Sequence, residues 1–140
     1  MKKLIIAAGI ILIVASCKKE NEAPALNLME QPDTSTVAVK QGVFQNGPYG
    51  NVTGKVTLYR NYNGSFNVFL DSFMTSNGPD LYVYLSREIM PASFIELEKL
   101  RSVNGSQLYS IPGAPDFTQF KYVNIHCKRY NHLFGYALLQ

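Results

Sequence analysis

The sequence has no tryptophan, only two cysteines, and few charged residues for its 140 positions. Its aromatic side chains are 9 Tyr and 8 Phe, residue types that favour β-strands. The formal net charge is +3, but Lys2 and Lys3 lie at the extreme N-terminus, which leaves 11 basic against 10 acidic residues from Cys17 onward. A chain so nearly neutral gives no electrostatic reason to expect a nucleic acid partner.

The common catalytic and metal-binding patterns are also missing. There is no glycine-rich phosphate loop and no Ser-His-Asp set at a credible spacing. His126 and His132 lie near one predicted loop, where only Cys127 could add a third ligand. Strand alternation points Cys127 away from His126, and a structural zinc site needs four ligands. We therefore predict no metal site.

The first 16 residues have the pattern of a secretion signal. Lys2 and Lys3 form a positively charged start, and an apolar run of 11 residues follows from residue 4 to residue 14. A helix needs about 20 apolar residues to span a bilayer, so this run is too short. It has the length of the apolar region of a secretory signal.

Residues 14–17, Val-Ala-Ser-Cys, resemble the lipobox of bacterial lipoproteins. The resemblance implies that residues 1–16 are removed and that Cys17 becomes the acylated N-terminus, held in the membrane by two or more acyl chains. The expected location is the bacterial cell envelope, on the outer membrane if the host is Gram-negative. The alternative is an uncleaved signal anchor in which the cysteine is incidental.

Residues 17–38 are mostly polar, contain Pro24 and Pro32, and offer little apolar surface to bury. We predict a lipidated, flexible tether here, because such segments cannot offset the entropy lost on folding. About 20 residues of this kind would reach on the order of 25 Å.

Residues 39–140 alternate apolar and polar side chains with a period near two, interrupted by Gly, Asn and Pro. We expect strands at residues 55–59, 66–70, 81–85, 107–111, 120–129 and 133–139. The Asn63-Gly64 pair predicts a hairpin turn between the first two strands. Alternate residues of the strand at 81–85, beginning with Leu81, should face the core.

Residues 93–100 are ambiguous between a helical and an alternating spacing of their apolar side chains. We favour a strand, because the surrounding segments are all β. Short strands at intervals of 8–12 residues predict an all-β fold, in the form of a single antiparallel β-sandwich or barrel-like domain.

Cys127 has no disulfide partner in its own chain if Cys17 carries lipid. An unpaired cysteine is unusual in an exported protein. Two interpretations remain open at this point. Cys127 is either a small buried hydrophobic residue, as free cysteines often are, or a redox thiol or cofactor ligand.

The expected neighbours of Cys127 follow from strand pairing. Alternation places Cys127 and Arg129 on the inner face of their strand. A turn centred on residues 131–132 would pair Cys127 with Tyr136 and Arg129 with Phe134. We therefore predict Tyr136 and Arg129 as supporting neighbours, with Arg129 able to promote the thiolate.

Asp80 follows Gly78 and Pro79 in a predicted turn. Aspartate in such a motif commonly bonds to the backbone of its own turn. A ligand or catalytic role for Asp80 is the alternative.

Several segments of the domain resemble the DM-thirteen domain, also called the electron-transfer DM domain. They are residues 42–44 with Gly54, residues 77–86, residues 104–112, and residues 123–130 with 134–138. The Gly-Pro-Asp-Leu and Ile-X-Cys-X-X-Tyr pieces are distinctive, and the resemblance covers roughly residues 40–139.

The resemblance implies a β-rich, secreted or surface-attached domain with a proposed role in extracellular electron transfer. That role rests on one nearly universal cysteine, acting as a bare thiol or as a ligand to a group such as haem, and the matching residue is Cys127. Many relatives carry a His shortly before the Gly matched by Gly54, whereas residues 48–51 read Pro-Tyr-Gly-Asn here. A haem mechanism that requires this His is not supported by the sequence.

Two hypotheses follow for the function. The first is an envelope lipoprotein that takes part in electron transfer or redox chemistry through Cys127, with a redox protein of the envelope as its partner. The second is a non-catalytic envelope module that binds a partner, in which Cys127 is inert in the core.

Overall fold

The computed structural model describes residues 22–140, and every regular element in this range is a β-strand. The strands are β1 (Asn27–Met29), β2 (Val37–Val43), β3 (Gln45–Asn46), β4 (Val52–Arg60), β5 (Phe66–Thr75), β6 (Leu81–Ser86), β7 (Phe94–Lys99), β8 (Asn104–Ile111), β9 (Tyr122–Cys127) and β10 (His132–Leu138). Each strand expected from the sequence is present within one or two residues of its predicted bounds or inside a longer strand. No helix long and apolar enough to span a membrane occurs among residues 22–140.

The strands form two five-stranded sheets that pack as a sandwich. The first sheet has the order β1-β8-β5-β4-β2, and the second has the order β3-β10-β9-β6-β7. Strand β1 pairs with β8 in parallel, and the other neighbouring strands are antiparallel. The predicted all-β fold is confirmed in its sandwich form.

Strands β4 and β5 form the hairpin that the sequence predicts. Gly64 adopts a φ of 83° in the turn, a conformation that is strained for residues with a Cβ atom. Its N–H donates to the carbonyl of Asn61 at 2.9 Å, which closes the turn. The pairing then runs from Arg60 opposite Phe66 to Val52 opposite Thr75.

The core lies between the two sheets and is filled by the apolar faces of their strands. Leu81, Val83 and Leu85 of β6 are completely buried, as alternation predicts. Strand β7, the segment that was ambiguous in the sequence, pairs antiparallel with β6. Its residues Ile95 and Leu97 pack against the core, so the alternating pattern and not the helical one decides its structure.

The folded domain begins earlier than residue 39. Glu22 forms a β-bridge with Pro79, Ala23 is 4% exposed within the core cluster, and β1 pairs with β8. Residues 22–38 are therefore part of the fold, and the predicted flexible tether is wrong for these residues. Main-chain hydrogen bonds hold these residues, and a prediction based on buried apolar side chains does not detect such bonds. Residues 1–21, which include the predicted signal and Cys17, lie outside the described residues.

Candidate functional site around Cys127

Cys127 is the last residue of β9, in the middle of the second sheet. Its neighbours across the strands are Leu81 of β6 and His132 of β10. The side chain points into the core with Val123 and Ile125 of the same strand, and it is 1% exposed. The predicted inward direction of Cys127 is therefore confirmed.

The Cys127 thiol has a specific hydrogen-bond partner, the main-chain carbonyl of Pro79. The Sγ atom lies 2.8 Å from the Pro79 oxygen and donates to it. The next residue, Lys128, donates its N–H to the carbonyl of Asp80 at 3.0 Å. Residues 77–80 thus form a loop that closes over the end of β9; we call it the Pro79 loop.

The Pro79 loop is held from its other side by the N-terminal segment. Glu22 bridges to Pro79, and the Asn77 side-chain amide donates to the Ala23 carbonyl at 3.0 Å. Within the loop, a Cβ atom at Gly78 would lie 2.6 Å from the ring of Phe134, so the close packing there requires glycine. The thiol is covered by the loop, and the loop is covered by residues 22–23.

The structure does not bring Tyr136 or Arg129 to the thiol as predicted. The β9–β10 register shifts at a bulge between Leu133 and Gly135, so that Cys127 pairs with His132 and Tyr136 pairs with Asn124. Tyr136 therefore lies on the opposite face of the sheet. The predicted Cys127–Tyr136 pairing is wrong because alternation cannot detect a bulge.

Arg129 lies beyond the end of β9, in the exposed β9–β10 turn. The strand alternation that was expected to place Arg129 beside Cys127 therefore ends at Cys127. Its guanidinium belongs to the surface of this turn and not to the core.

Asp80 occupies a left-handed backbone conformation, with a φ of 67°. Aspartate tolerates this region better than most residues that carry a Cβ atom. Its carbonyl receives the Lys128 hydrogen bond, so its main chain joins the Pro79 loop to the β9–β10 turn. Asp80 thus lies in a turn and bonds to Lys128 through its main-chain carbonyl, while the capping and ligand roles of its carboxylate stay predictions.

His126 lies on the face of β9 opposite to Cys127, as predicted, yet it is only 3% exposed. Its Nε2 is 3.0 Å from Asn131 Oδ1, and its Nδ1 has no hydrogen-bond partner among the described residues. The Tyr84 ring covers it at 5.3 Å between ring centroids. Burial lowers the pKa of His126 below its usual 6.5, partly opposed by the Asn131 hydrogen bond.

The sequence did not predict that the outer face of the second sheet is buried around His126. Tyr84 is 2% exposed, and it stacks on Phe94 with ring centroids 4.2 Å apart. Burial, followed by the negative charge of Glu96, raises the pKa of Tyr84 to about 12. Tyrosines at positions 82 and 84, on the face opposite to the core residues of β6, were the available signal, because large rings can cover the outside of a sheet.

Haem ligation by Cys127 does not fit this arrangement. The thiol is buried in the packed core and hydrogen-bonded to Pro79, and His126 lies across the sheet from it. Among residues 22–140, no group of three or more His, Cys, Asp or Glu side chains is placed to hold a metal ion. Any chemistry at this position is therefore best described for the thiol itself.

Comparison with known proteins identifies the family. No curated protein and no solved structure matches the chain. The family model described as Electron transfer DM13 matches residues 43–139, which is more than two thirds of the 140 residues. The match includes β4 to β10, the Pro79 loop and Cys127. The chain therefore belongs to the Electron transfer DM13 family.

Proposed function

We propose that the protein is a lipid-anchored envelope protein whose sandwich domain takes part in electron transfer or redox chemistry through Cys127. One observation carries this proposal. The Electron transfer DM13 match covers residues 43–139, and Cys127 is the only cysteine in that span. The thiol of a cysteine can be oxidised to a sulfenic acid or a disulfide and reduced again by another thiol.

The anchoring part rests on the signal pattern of residues 1–16 and on the lipobox that ends at Cys17. Its test is metabolic labelling with a fatty-acid analogue in the bacterial host. The chain should carry the label and fractionate with membranes. Cys17→Ser should remove the label and release the domain, because both acylation and cleavage depend on that thiol. Equal labelling of the two chains would contradict the anchor.

The chemical part is written for a peroxide as oxidant. The Cys127 sulfur, as thiolate, attacks one peroxide oxygen, so that an S–O bond forms while the O–O bond breaks. With hydrogen peroxide, the second oxygen leaves as hydroxide, which takes up the proton that the thiol released and becomes water, and the sulfur becomes a sulfenic acid. A thiol of a partner protein then condenses with the sulfenic acid, which releases water and forms a mixed disulfide. A second partner thiol returns Cys127 to its reduced form.

This chemistry requires the Pro79 loop to move. A thiolate has no proton to donate, so the bond from Sγ to the Pro79 oxygen must break before the sulfur reacts. The loop has only four residues, and it is fastened by the Glu22 bridge at Pro79 and by hydrogen bonds from Asn77 to Ala23 and from Lys128 to Asp80. Local opening of such a segment costs less free energy than unfolding the domain.

The experiment treats the folded protein with mild peroxide and identifies the oxidation state of each cysteine by mass spectrometry. We expect sulfenic acid or a mixed disulfide at Cys127 under conditions in which circular dichroism stays native. Cys127→Ser, which keeps a donor for the Pro79 carbonyl, should fold and remain unmodified. If Cys127 is modified only when the protein is unfolded, the redox proposal is contradicted.

A second candidate function is a binding module with an inert Cys127, and two observations favour it. The first is the 1% exposure of the thiol. The second is an open cleft of about 780 Å³, lined by residues that include Val37, Tyr62, Phe66 and Phe117. In this case Cys127→Ala should lower stability and leave binding intact, whereas Tyr62→Ala should weaken binding to an envelope fraction.

A further inference from the structure

We propose that the end of the sandwich that carries the Pro79 loop rests on the membrane surface, with the β9–β10 turn in contact with lipid headgroups. This inference rests on the lipid anchor at Cys17 that forms part of the proposed function. The partner is the lipid surface itself, and the contact surface consists of exposed residues around Tyr130. We call this end of the domain the anchor end.

The position at which the chain joins the fold sets the geometry. Glu22 is held against Pro79, and only four residues lie between it and Cys17, which makes five steps from one Cα atom to the next. Five such steps span at most about 18 Å when the chain is fully extended. The carbonyl of Pro24 fixes the entry point further, since it accepts hydrogen bonds from Ser102 Oγ at 2.9 Å and from the N–H of Val103 at 3.0 Å.

The opposite end of the sandwich is much farther from the anchor. Strand β5 runs the length of the domain in 10 residues, which corresponds to about 34 Å. The β4–β5 turn at the far end carries Tyr62, which is 93% exposed. A domain tied at Glu22 therefore presents its anchor end to the lipid and holds Tyr62 in the aqueous phase.

The β9–β10 turn belongs to the anchor end. Pro79, which bridges to Glu22, accepts the hydrogen bond of Cys127. The carbonyl of the following Asp80 accepts the N–H of Lys128, the first residue of the turn. Glu22 is thus connected to the β9–β10 turn through Pro79 and Asp80, two adjacent residues of the Pro79 loop.

The exposed side chains at this end suit an interface between water and lipid. Tyr130 is 56% exposed, Tyr49 is 55% exposed and Leu26 is 64% exposed. The Tyr49 ring stacks on His132 with 3.6 Å between centroids, and Tyr130 lies 5.9 Å from the same ring. Tyrosine is enriched at membrane interfaces because its ring is apolar and its hydroxyl stays hydrated.

The charges of the anchor end indicate a weak dependence on anionic lipid. Arg129 is exposed and can contact phosphate, whereas Lys128 is bound to Glu96 at 2.8 Å. Glu22 and Asp80 add negative charge nearby. The tyrosine contacts, rather than a basic patch, should hold the orientation.

One consequence of this orientation is that a redox partner reaching Cys127 approaches it along the membrane surface.

The experiment uses the absence of tryptophan in the sequence. Tyr130→Trp places a single tryptophan, which can be excited selectively, at the anchor end, and Tyr62→Trp places the matched control at the far end. Each acylated chain is reconstituted into phosphatidylethanolamine–phosphatidylglycerol vesicles that contain a headgroup-labelled nitroxide lipid. We expect several-fold stronger quenching at position 130 than at position 62. Equal quenching, or stronger quenching at position 62, would overturn the orientation.

Two readouts separate this inference from the anchor itself. The mass of the N-terminal peptide reports whether Cys17 is acylated, independently of quenching. If it is not acylated, the anchor in the proposed function fails, and the orientation is measured on chains that begin at Cys17 and are coupled through it to a maleimide lipid. These chains also carry Cys127→Ser, so that Cys17 is the only thiol available for this coupling. A fluorophore at position 130 that becomes shielded without being quenched by lipid would indicate a protein partner and overturn the proposal.

Discussion

At the scale of single residues, Cys127 and His126 show how adjacent positions of one strand acquire separate roles. Cys127 faces the core and donates to the Pro79 carbonyl. His126 faces outward and is buried beneath Tyr84 and beside Asn131. Their side chains point to opposite sides of the sheet, so the pair cannot act as a thiol–imidazole dyad. A redox role for the thiol has to proceed without this histidine as its base.

The buried His126 should make the stability of the domain depend on pH. Its pKa in the folded protein lies below the usual 6.5 because of burial. Between the two pKa values the unfolded chain binds a proton that the folded chain does not, so the free energy of unfolding falls as pH falls below about 6.5. The loss should not exceed about 1.4 kcal/mol per pH unit. It should level off below the pKa of the folded state.

Urea denaturation between pH 7.5 and 5 measures this effect. His126→Gln, which can still donate to Asn131, should remove the histidine contribution to the slope. His132→Gln serves as the matched control and should leave most of the slope in place, because burial, and not the nearby His132, is the main cause of the lowered pKa of His126. An unchanged slope in His126→Gln would mean that this side chain is not buried in its neutral form.

At the scale of secondary-structure elements, β1 joins the N-terminal segment to the sandwich through a parallel pairing with β8. Gly105 permits this contact. It has a φ of 100°, and a Cβ atom there would lie 2.1 Å from the Leu28 carbonyl oxygen. The carboxylate of Glu30, just after β1, accepts the N–H of Leu108 at 2.6 Å and pairs with Arg101.

Gly105→Ala should displace β1, and Gly64→Ala is its matched control. Both glycines have positive φ, but a Cβ atom at Gly64 would meet nothing within 4 Å. Gly64→Ala should therefore lower the free energy of unfolding only through backbone strain, by roughly 1–2 kcal/mol. In a denaturant titration, Gly105→Ala should lower the free energy of unfolding clearly more than Gly64→Ala does. It should also increase hydrogen exchange at the β1–β8 amides, whereas equal losses would show that β1 contributes little.

The elements that the sequence predicts well are those held by alternating apolar side chains. Strands β4 to β10 are of this kind, and even the ambiguous β7 follows from its neighbours. Strand β1 and the bridge at Glu22 could not be predicted from the sequence, because main-chain hydrogen bonds and not alternating apolar side chains hold them. The position of Tyr136 was predicted wrongly for a different reason. The bulge near Gly135 moves the register by one residue, which reverses the face of every side chain beyond it.

At the scale of the whole molecule, two layers of contact cover the candidate centre. The core holds Cys127, the Pro79 loop covers it, and residues 22–23 cover the loop. The chain that leads towards Cys17 is thus attached to the same loop that must open for the thiol to react. This connection between the N-terminal segment and the thiol could not be predicted from the sequence, because Asn77 and Ala23 are 54 residues apart.

The central claim is that Cys127 becomes reachable through local opening of the Pro79 loop while the domain stays folded. The direct measurement is the rate at which a thiol reagent labels Cys127 in a Cys17→Ser chain, over a range of urea concentrations below the unfolding transition. The opening free energy from labelling should be smaller than the free energy of global unfolding and nearly independent of urea. Asn77→Ala should accelerate labelling, whereas Asn61→Ala, in the distant β4–β5 turn, should change it only through global stability. Labelling that follows global unfolding in all three chains would contradict the account.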